Sequence, residues 1–315
     1  MNLLITGAAG FIGSHFALEH VRAHPEDTIV VLDQLTYAAD RHYLDPIMKK
    51  IELIVGDIAD PVLVSNILKK QNIDVIINFA AETHVDRSID DPSPFLHTNV
   101  LGVQNLLNAC RLYPALRFLH ISTDEVYGDL NDTDPPKQVT DALRPSSPYA
   151  ASKASGDLLV QAAARTYGMK TAISRCTNNF GPHQASEKFI PTVIRCVLKG
   201  QPIPIYALGK NKRDWLYVTD HCSAIEKILS TPPAFDSCRI FNVSADSEKQ
   251  NIDVAQAILK ILGKPESLLS FVQDRPGHDW RYALDSSATR ALGWKPEVSF
   301  DEGLKRTVEW YRVWL

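Results

Sequence analysis

Leu3-Leu4-Ile5-Thr6-Gly7-Ala8-Ala9-Gly10-Phe11-Ile12-Gly13-Ser14 is the stretch whose reading decides the fold. Its first four residues read as a short buried strand, and a helix opens near Ser14. Between them Gly7, Gly10 and Gly13 are spaced GxxGxxG, unlike the GxGxxG of many dehydrogenases. Glycine permits the tight turn and brings a pyrophosphate close to the helix N-terminus, where free N–H groups and the helix dipole favour an anion. A glycine triplet alone also fits a purely structural turn, so context has to separate the two. Twenty residues past Gly13, Asp33 ends a second apolar run. A carboxylate there accepts hydrogen bonds from a ribose 2′-hydroxyl and repels a 2′-phosphate, so NAD is expected rather than NADP.

Outward from this stretch, short apolar runs at residues 3–6, 28–32, 51–55, 75–79, 118–122 and 171–175 alternate with helix-patterned segments. Residues 61–70 and 92–112 place apolar side chains at helical intervals after an early Pro, and a helix from Tyr149 to about Tyr167 is closed by Gly168. Such alternation predicts an α/β fold, a doubly wound parallel sheet of Rossmann type covered on both faces. Beyond Asn178 the rhythm loosens and Pro and Gly increase, which predicts a second, smaller α/β lobe. Residues 300–314 read as an amphipathic helix with Leu304, Val308 and Tyr311 on one face. The division expected is 1–177 for the dinucleotide-binding domain, with a later contribution from about 213–235, and 178–315 mainly for the second lobe.

Composition narrows the partners. With 33 Lys+Arg against 37 Asp+Glu the formal charge is −4, which supplies no global basic field for nucleic acid. Cys110, Cys176, Cys196, Cys222 and Cys238 are odd in number and widely spaced, and they form no CxxC or Cys/His cluster. Buried reduced thiols are expected, without disulfides or a metal site. No charged-then-apolar leader or membrane-length apolar run is present, so a cytoplasmic location is expected.

Other strand ends carry chemistry. Gly56-Asp57-Ile58 follows the third run and fits an adenine edge, although Asp57 equally fits a turn former. Phe79-Ala80-Ala81 ends the fourth with small residues that let a cofactor lie against backbone. Tyr149 and Lys153 stand four residues apart, hence on one helix face, where the ammonium is expected to lower the phenol's pKa from about 10. An incidental YxxxK on an exposed helix is the alternative. In Thr123-Asp124-Glu125 a strand ends in a hydroxyl and two adjacent carboxylates. On a regular strand these would face opposite sides, so both serve one pocket only if the strand breaks there, and Gly128 suits such a break.

At these residues the chain resembles the dTDP-glucose 4,6-dehydratase family of extended short-chain dehydrogenases/reductases. The resemblance runs nearly end to end through GAAGFIGSH, DQLTYA, AAETHVDRSI, STDEVYGDL, SPYAASKAS, CTNNFGP, EKFIP, KRDWLYVTDH and DRPGHDWRY. The Thr-Asp-Glu triplet discriminates, because related epimerases and decarboxylases share the glycines and YxxxK without that pair of carboxylates. The resemblance implies an internal redox cycle on a nucleoside diphosphate hexose. Tyr149, assisted by Lys153 and Thr123, takes the proton of the carbon 4 hydroxyl as hydride passes to NAD; Glu125 takes the carbon 5 proton; Asp124 protonates the departing carbon 6 hydroxyl.

By the same resemblance Phe11, Ile12, Asp33, Asp57, Ile58, Ala80, Ala81, Thr98, Tyr149, Lys153 and Asn179 contact NAD, with Thr36 close by. Thr83, Thr123, Asn178, Lys188, Phe189, Tyr206, Arg213, Asn242, Arg275 and His278 line the sugar-nucleotide site. Arg213 and Arg275 suit a diphosphate clamp, or each pairs with its neighbour Asp214 or Asp274. The family also implies a homodimer through a four-helix bundle formed by the helices after Pro92 and Tyr149. The chain departs from the family at Ala207-Leu208-Gly209 and at Trp280. Substrates linked to UDP, GDP or CDP, a 4-epimerase and a non-catalytic NAD-binding sensor remain the alternatives.

Overall fold

Apolar runs bounded by turn residues become the strands of one parallel sheet. The computed structural model describes residues 1–274 and 277–314. In it β1 (Asn2–Thr6), β2 (Thr28–Asp33), β3 (Ile51–Val55), β4 (Val75–Asn78), β5 (Arg117–Thr123) and β6 (Lys170–Cys176) stand in the order 3-2-1-4-5-6. A late strand, Arg239–Val243, pairs in parallel outside β6. The order reverses between β1 and β4, and ligands of open α/β sheets bind outside the carboxyl ends of the strands at such a point.

Side-chain alternation along β1 feeds two cores. Leu3 and Ile5 pack on one face with Phe16 of α1 (Phe11–Ala23), whereas Leu4 packs on the other with Val64 of α2 (Pro61–Lys70). Each such fully buried side chain contributes about 1.5–3 kcal/mol. Asp60 caps α2 by accepting from the N–H groups of Val62 and Leu63, with Pro61 in the first turn.

The helix expected over 92–112 is one path with an interruption. After α3 (Val85–Asp90) and α4 (Ser93–Leu96), a π-helical turn at His97–Gly102 precedes α5 (Val103–Cys110). It holds the buried Asn99, whose amide accepts from the Glu82 N–H at 3.0 Å and donates to the Glu82 carbonyl at 3.0 Å and to Ser152 Oγ at 2.9 Å. The turn therefore fastens the loop after β4 to α6 (Pro148–Tyr167). Ser147 caps α6 on the N–H of Ala150, and Gly168 closes it with φ +65°.

The second lobe follows with β7 (Asn178–Phe180), α7 (Phe189–Leu198), β8 (Ile203–Tyr206) and β9 (Lys212–Tyr217). The chain then returns to the main sheet through α8 (Val218–Leu229), packed on α1, and β10, the late strand Arg239–Val243. That return extends past residue 235 to the seventh strand. β11 (Glu248–Gln250), α9 (Asn251–Leu262), β12 (Leu269–Val272), α10 (Ser287–Arg290) and α11 (Phe300–Trp314) complete the fold. β9 lies between β7 and β11, and β8 pairs with β12. Leu304, Val308 and Tyr311 of α11 are buried with Phe180, Ile194, Trp215 and Val254. His183, at φ +67°, joins the bodies: its ring stacks on Tyr43 at 3.9 Å and its Nδ1 lies 3.0 Å from Ser14 Oγ. All five cysteines are buried and free.

Candidate active site

A cleft of about 280 Å³ opens over the carboxyl ends of β1, β2, β4 and β5. Every residue expected to contact NAD lines it, from Gly7, Gly10, Phe11, Ile12 and Gly13 through Asp33, Thr36, Asp57, Ile58, Ala80, Ala81 and Thr98 to Tyr149, Lys153 and Asn179. Close approach explains the glycines. At Gly7, φ +71°, a Cβ would lie 2.6 Å from the Ala80 nitrogen, and at Gly13 it would lie 2.4 Å from the Gly7 carbonyl oxygen. No side chain caps α1, so its first turn keeps the N–H groups that a pyrophosphate takes. Asp33 is fixed by accepting from the N–H groups of Ala9 and Leu35, each at 2.8 Å. Asp57 is both a turn former and a cleft residue: Oδ1 accepts from Ala59 N–H at 2.8 Å, and Oδ2 lies 2.8 Å from His97 Nε2. These features fit a dinucleotide.

Beyond Thr123 the strand breaks into a 3-10 turn, Asp124–Tyr127, closed by Gly128 at φ +77°. With about three residues per turn, successive side chains point about 120° apart instead of alternating. Asp124 is buried and Glu125 half-buried. Thr123 Oγ1 donates to Asp124 Oδ1 at 3.1 Å and accepts from the Glu125 N–H at 3.3 Å. Burial, then the charge of Glu125, pushes the Asp124 carboxyl well above its usual range, against the Thr123 hydrogen bond and the charge of Arg213. Asp124 therefore tends to keep its proton.

Tyr149 and Lys153 are buried on the facing turns of α6. Lys153 Nζ donates to the Ile121 carbonyl at 2.7 Å, and burial lowers its pKa to about 8 against the pull of Asp157. In the protein alone the lowering expected from Lys153 does not outweigh burial. Burial first, and then the neighbouring Glu125, Cys176 and Asp124, push Tyr149 well above its ordinary value, and the opposing effect comes from Thr123. The incidental surface YxxxK is excluded by the burial of both side chains.

The sugar-nucleotide candidates divide. Thr83, Thr123, Asn178 and Lys188 line the cleft, with Lys188 Nζ donating to the Thr83 carbonyl at 2.7 Å. Phe189, Tyr206, Arg213 and His278 lie outside its lining, in the second lobe. The Phe189 ring faces Trp215 at 6.3 Å, and Tyr206 meets the His278 ring edge at 6.1 Å. Arg213 does not pair with Asp214. Strand alternation turns Asp214 toward the Ser247 N–H, while the buried guanidinium donates to the carbonyls of Lys212, Trp280 and Asp279 and covers the Tyr282 ring. Asn242 is fully buried on β10; its amide accepts from Tyr127 Oη at 2.9 Å and donates to the Lys137 carbonyl at 2.9 Å. Arg275 lies outside the described residues. At the departures from the family, Ala207 and Leu208 take φ +46° and +59°, and the Trp280 indole donates to Asp132 at 2.9 Å.

Sequence reasoning missed two cleft groups. Glu82, held through Asn99, lines the cleft with its carboxyl raised by burial. Cys176 also lines it, its thiol pushed up to about 12 by burial. The AAETH stretch and the end of the sixth apolar run were the available signals.

Comparison with known proteins fits this geometry. The family model for GDP-mannose 4,6 dehydratase matches residues 4–307. The dTDP-glucose 4,6-dehydratase of Mycobacterium tuberculosis strain H37Rv is 45% identical over 316 residues, covering 99% of this chain and 93% of that one. DesIV, the dTDP-glucose 4,6-dehydratase of Streptomyces venezuelae solved with NAD and TYD (dTDP) bound, superposes with a TM-score of 0.94 at 42% identity, over 99% of this chain and 97% of that one. The UDP-glucose 4-epimerase of Thermus thermophilus reaches a TM-score of 0.90 at 31% identity, over 99% of both chains. Fold alone therefore does not distinguish dehydration from epimerisation.

Proposed function

The chain belongs to the dTDP-glucose 4,6-dehydratase family of extended short-chain dehydrogenases/reductases, and from that premise we propose that it is an NAD-dependent hydro-lyase converting dTDP-glucose to dTDP-4-keto-6-deoxyglucose. The observation that carries the reading is the buried Asp124, its carboxyl pushed upward by burial, beside the half-buried Glu125, on a turn that starts at the cleft residue Thr123. An epimerase has no use for that pair, and neither has a sensor.

The glycine turn, Asp33 and the strand-end residues would hold NAD, which when bound would supply the hydride acceptor for carbon 4 and, reduced, the hydride donor for carbon 6. Tyr149 takes the proton of the carbon 4 hydroxyl. Thr123 and the Lys153 ammonium lower the cost of the phenolate, which is high in the protein alone. The resulting ketone acidifies the carbon 5 hydrogen, and Glu125 removes it. Asp124 gives its proton to the carbon 6 hydroxyl, which leaves as water, and Glu125 then returns its proton to carbon 5 to complete the saturated 6-deoxy ketone. Two carboxyls in unlike surroundings suit these opposite tasks.

Residues 1–177 with the return passage mainly serve the cofactor, and the remainder of 178–315 mainly serves the sugar nucleotide, with Phe189, Tyr206, Arg213, Arg275 and His278 as its contacts. Support comes from the separate apolar core of the second lobe. A homodimer is part of the proposal: Leu96, Leu101, Leu158 and Tyr167 are exposed on the helical face of α4 to α6, as a helix bundle between two copies requires. A monomer in light scattering at micromolar concentration contradicts it. No described helix is long and apolar enough to cross a membrane; we place the enzyme in the cytoplasm.

The test is incubation of purified protein with dTDP-glucose and, separately, with UDP-, GDP- and CDP-glucose. The 4-keto product is expected from the dTDP sugar. Product from another nucleotide alone keeps the chemistry and discards the base assignment, and product from none discards the reading.

A further inference from the structure

The end of α1 remote from the cleft carries a second group of chemical side chains. His20, His24 and Glu226 bring one ligand atom each within 4.8 Å of one another. His20 Nδ1 lies 2.6 Å from Glu226 Oε1, and His24 Nε2 lies 3.7 Å from Glu226 Oε2. The other nitrogen of His20, Nε2, lies 3.1 Å from Asp27 Oδ2, and Asp27 is itself held by the N-terminal amine of Met1. His20 is fully buried, Glu226 is one-quarter exposed and His24 is nearly half exposed, so the group opens to solvent on one side only.

We propose that His20 Nδ1, His24 Nε2 and a Glu226 carboxylate oxygen form a binding site for one Zn²⁺ ion, with solvent in the fourth position. Two imidazoles and a carboxylate match the nitrogen and oxygen donors that Zn²⁺ takes, and three protein ligands with one open place is a common zinc arrangement. The independent observation is Asp27. A ligating histidine characteristically donates its second ring N–H to a carboxylate, which fixes the tautomer that leaves the other nitrogen free for the metal. Asp27 stands where that role requires, and its own fixation by the Met1 amine keeps it there.

Position sets the consequence. His20 and His24 end the helix whose first turn meets the cofactor, and Glu226 belongs to α8 of the return passage. The ion would fasten these two helices far from the reacting atoms, adding thermal stability without changing turnover. This inference is independent of the proposed activity.

The test is calorimetric titration of the chelator-treated holoenzyme with Zn²⁺, with Mg²⁺ as the hard-cation control. One Zn²⁺ per chain is expected, with no comparable uptake of Mg²⁺, and saturable binding is lost in His24→Ala and in Glu226→Gln. Because His24 is exposed, its variant folds, and its dehydratase rate and NAD content stay at wild-type values. A rise in Tm with one equivalent of Zn²⁺ is expected for wild type only. Absence of saturable one-to-one binding in the wild type overturns the proposal, as does wild-type affinity in both variants.

Discussion

The cofactor cleft is gathered from the carboxyl ends of neighbouring strands, whereas the second-lobe candidates Phe189, Tyr206, Arg213 and His278 hang on a helix start, two strands of separate sheets and a loop. In the first region parallel pairing alone brings distant residues together: the β1 glycine turn, Asp33 after Val31 and Leu32, and the Ala80 backbone all arrive at the same edge. In the second no ladder links those elements. Residues placed by a repeated local geometry are thus recovered together, and residues placed by lobe packing only one by one.

That contrast can be broken most severely at the turn that follows β5. Glu125→Gln keeps the volume and removes the base. It is expected to lower kcat by about 10²–10⁴-fold while the purified variant keeps its NAD, read as product formation against cofactor content. A variant that turns over normally removes Glu125 from the chemistry.

Next in size is Arg213→Lys. The charge is retained but the planar fork that reaches three carbonyls is lost, and KM for the sugar nucleotide should rise by roughly 10–100-fold, corresponding to about 1.5–3 kcal/mol for a charge-assisted hydrogen bond. Initial-rate kinetics with NAD content unchanged would sharpen the division between the two regions. A loss of NAD instead would blur it.

A smaller effect lies in pH. The Lys153 pKa is lowered by burial to about 8, so its ammonium form is lost as pH rises through that value. kcat/KM should fall on that alkaline limb, and the low residual rate of Lys153→Met should show no such limb. For stability the sign is opposite. Between about 8 and the ordinary value of 10.5 the unfolded chain holds a proton that the folded chain has released, so the contribution of this group to stability rises with pH.

The smallest effect on catalysis is expected at Asn242→Ala. It leaves the Tyr127 hydroxyl and the Lys137 carbonyl without their amide, costing about 1–3 kcal/mol of stability with KM unchanged. Chemical denaturation measures the first and initial rates the second; a large rise in KM restores Asn242 to the substrate site.

Sequence by itself determined the doubly wound sheet, the glycine turn, Asp33, the Tyr149–Lys153 spacing and the Thr123-Asp124-Glu125 break. Each depends on backbone preferences or side-chain periods that act within a few residues. Gly168 and Ser147 at the ends of α6 belong to the same class. Only the tertiary structure decided the π-helical turn that fixes Asn99, the return of Arg239–Val243 to the main sheet, the inward amide of Asn242 and the burial that raises Tyr149 and Asp124. These follow from which segments exclude water from one another. Desolvation and long-range contact depend on neighbours more than a hundred residues away, as between Tyr127 and Asn242, and no local pattern records them.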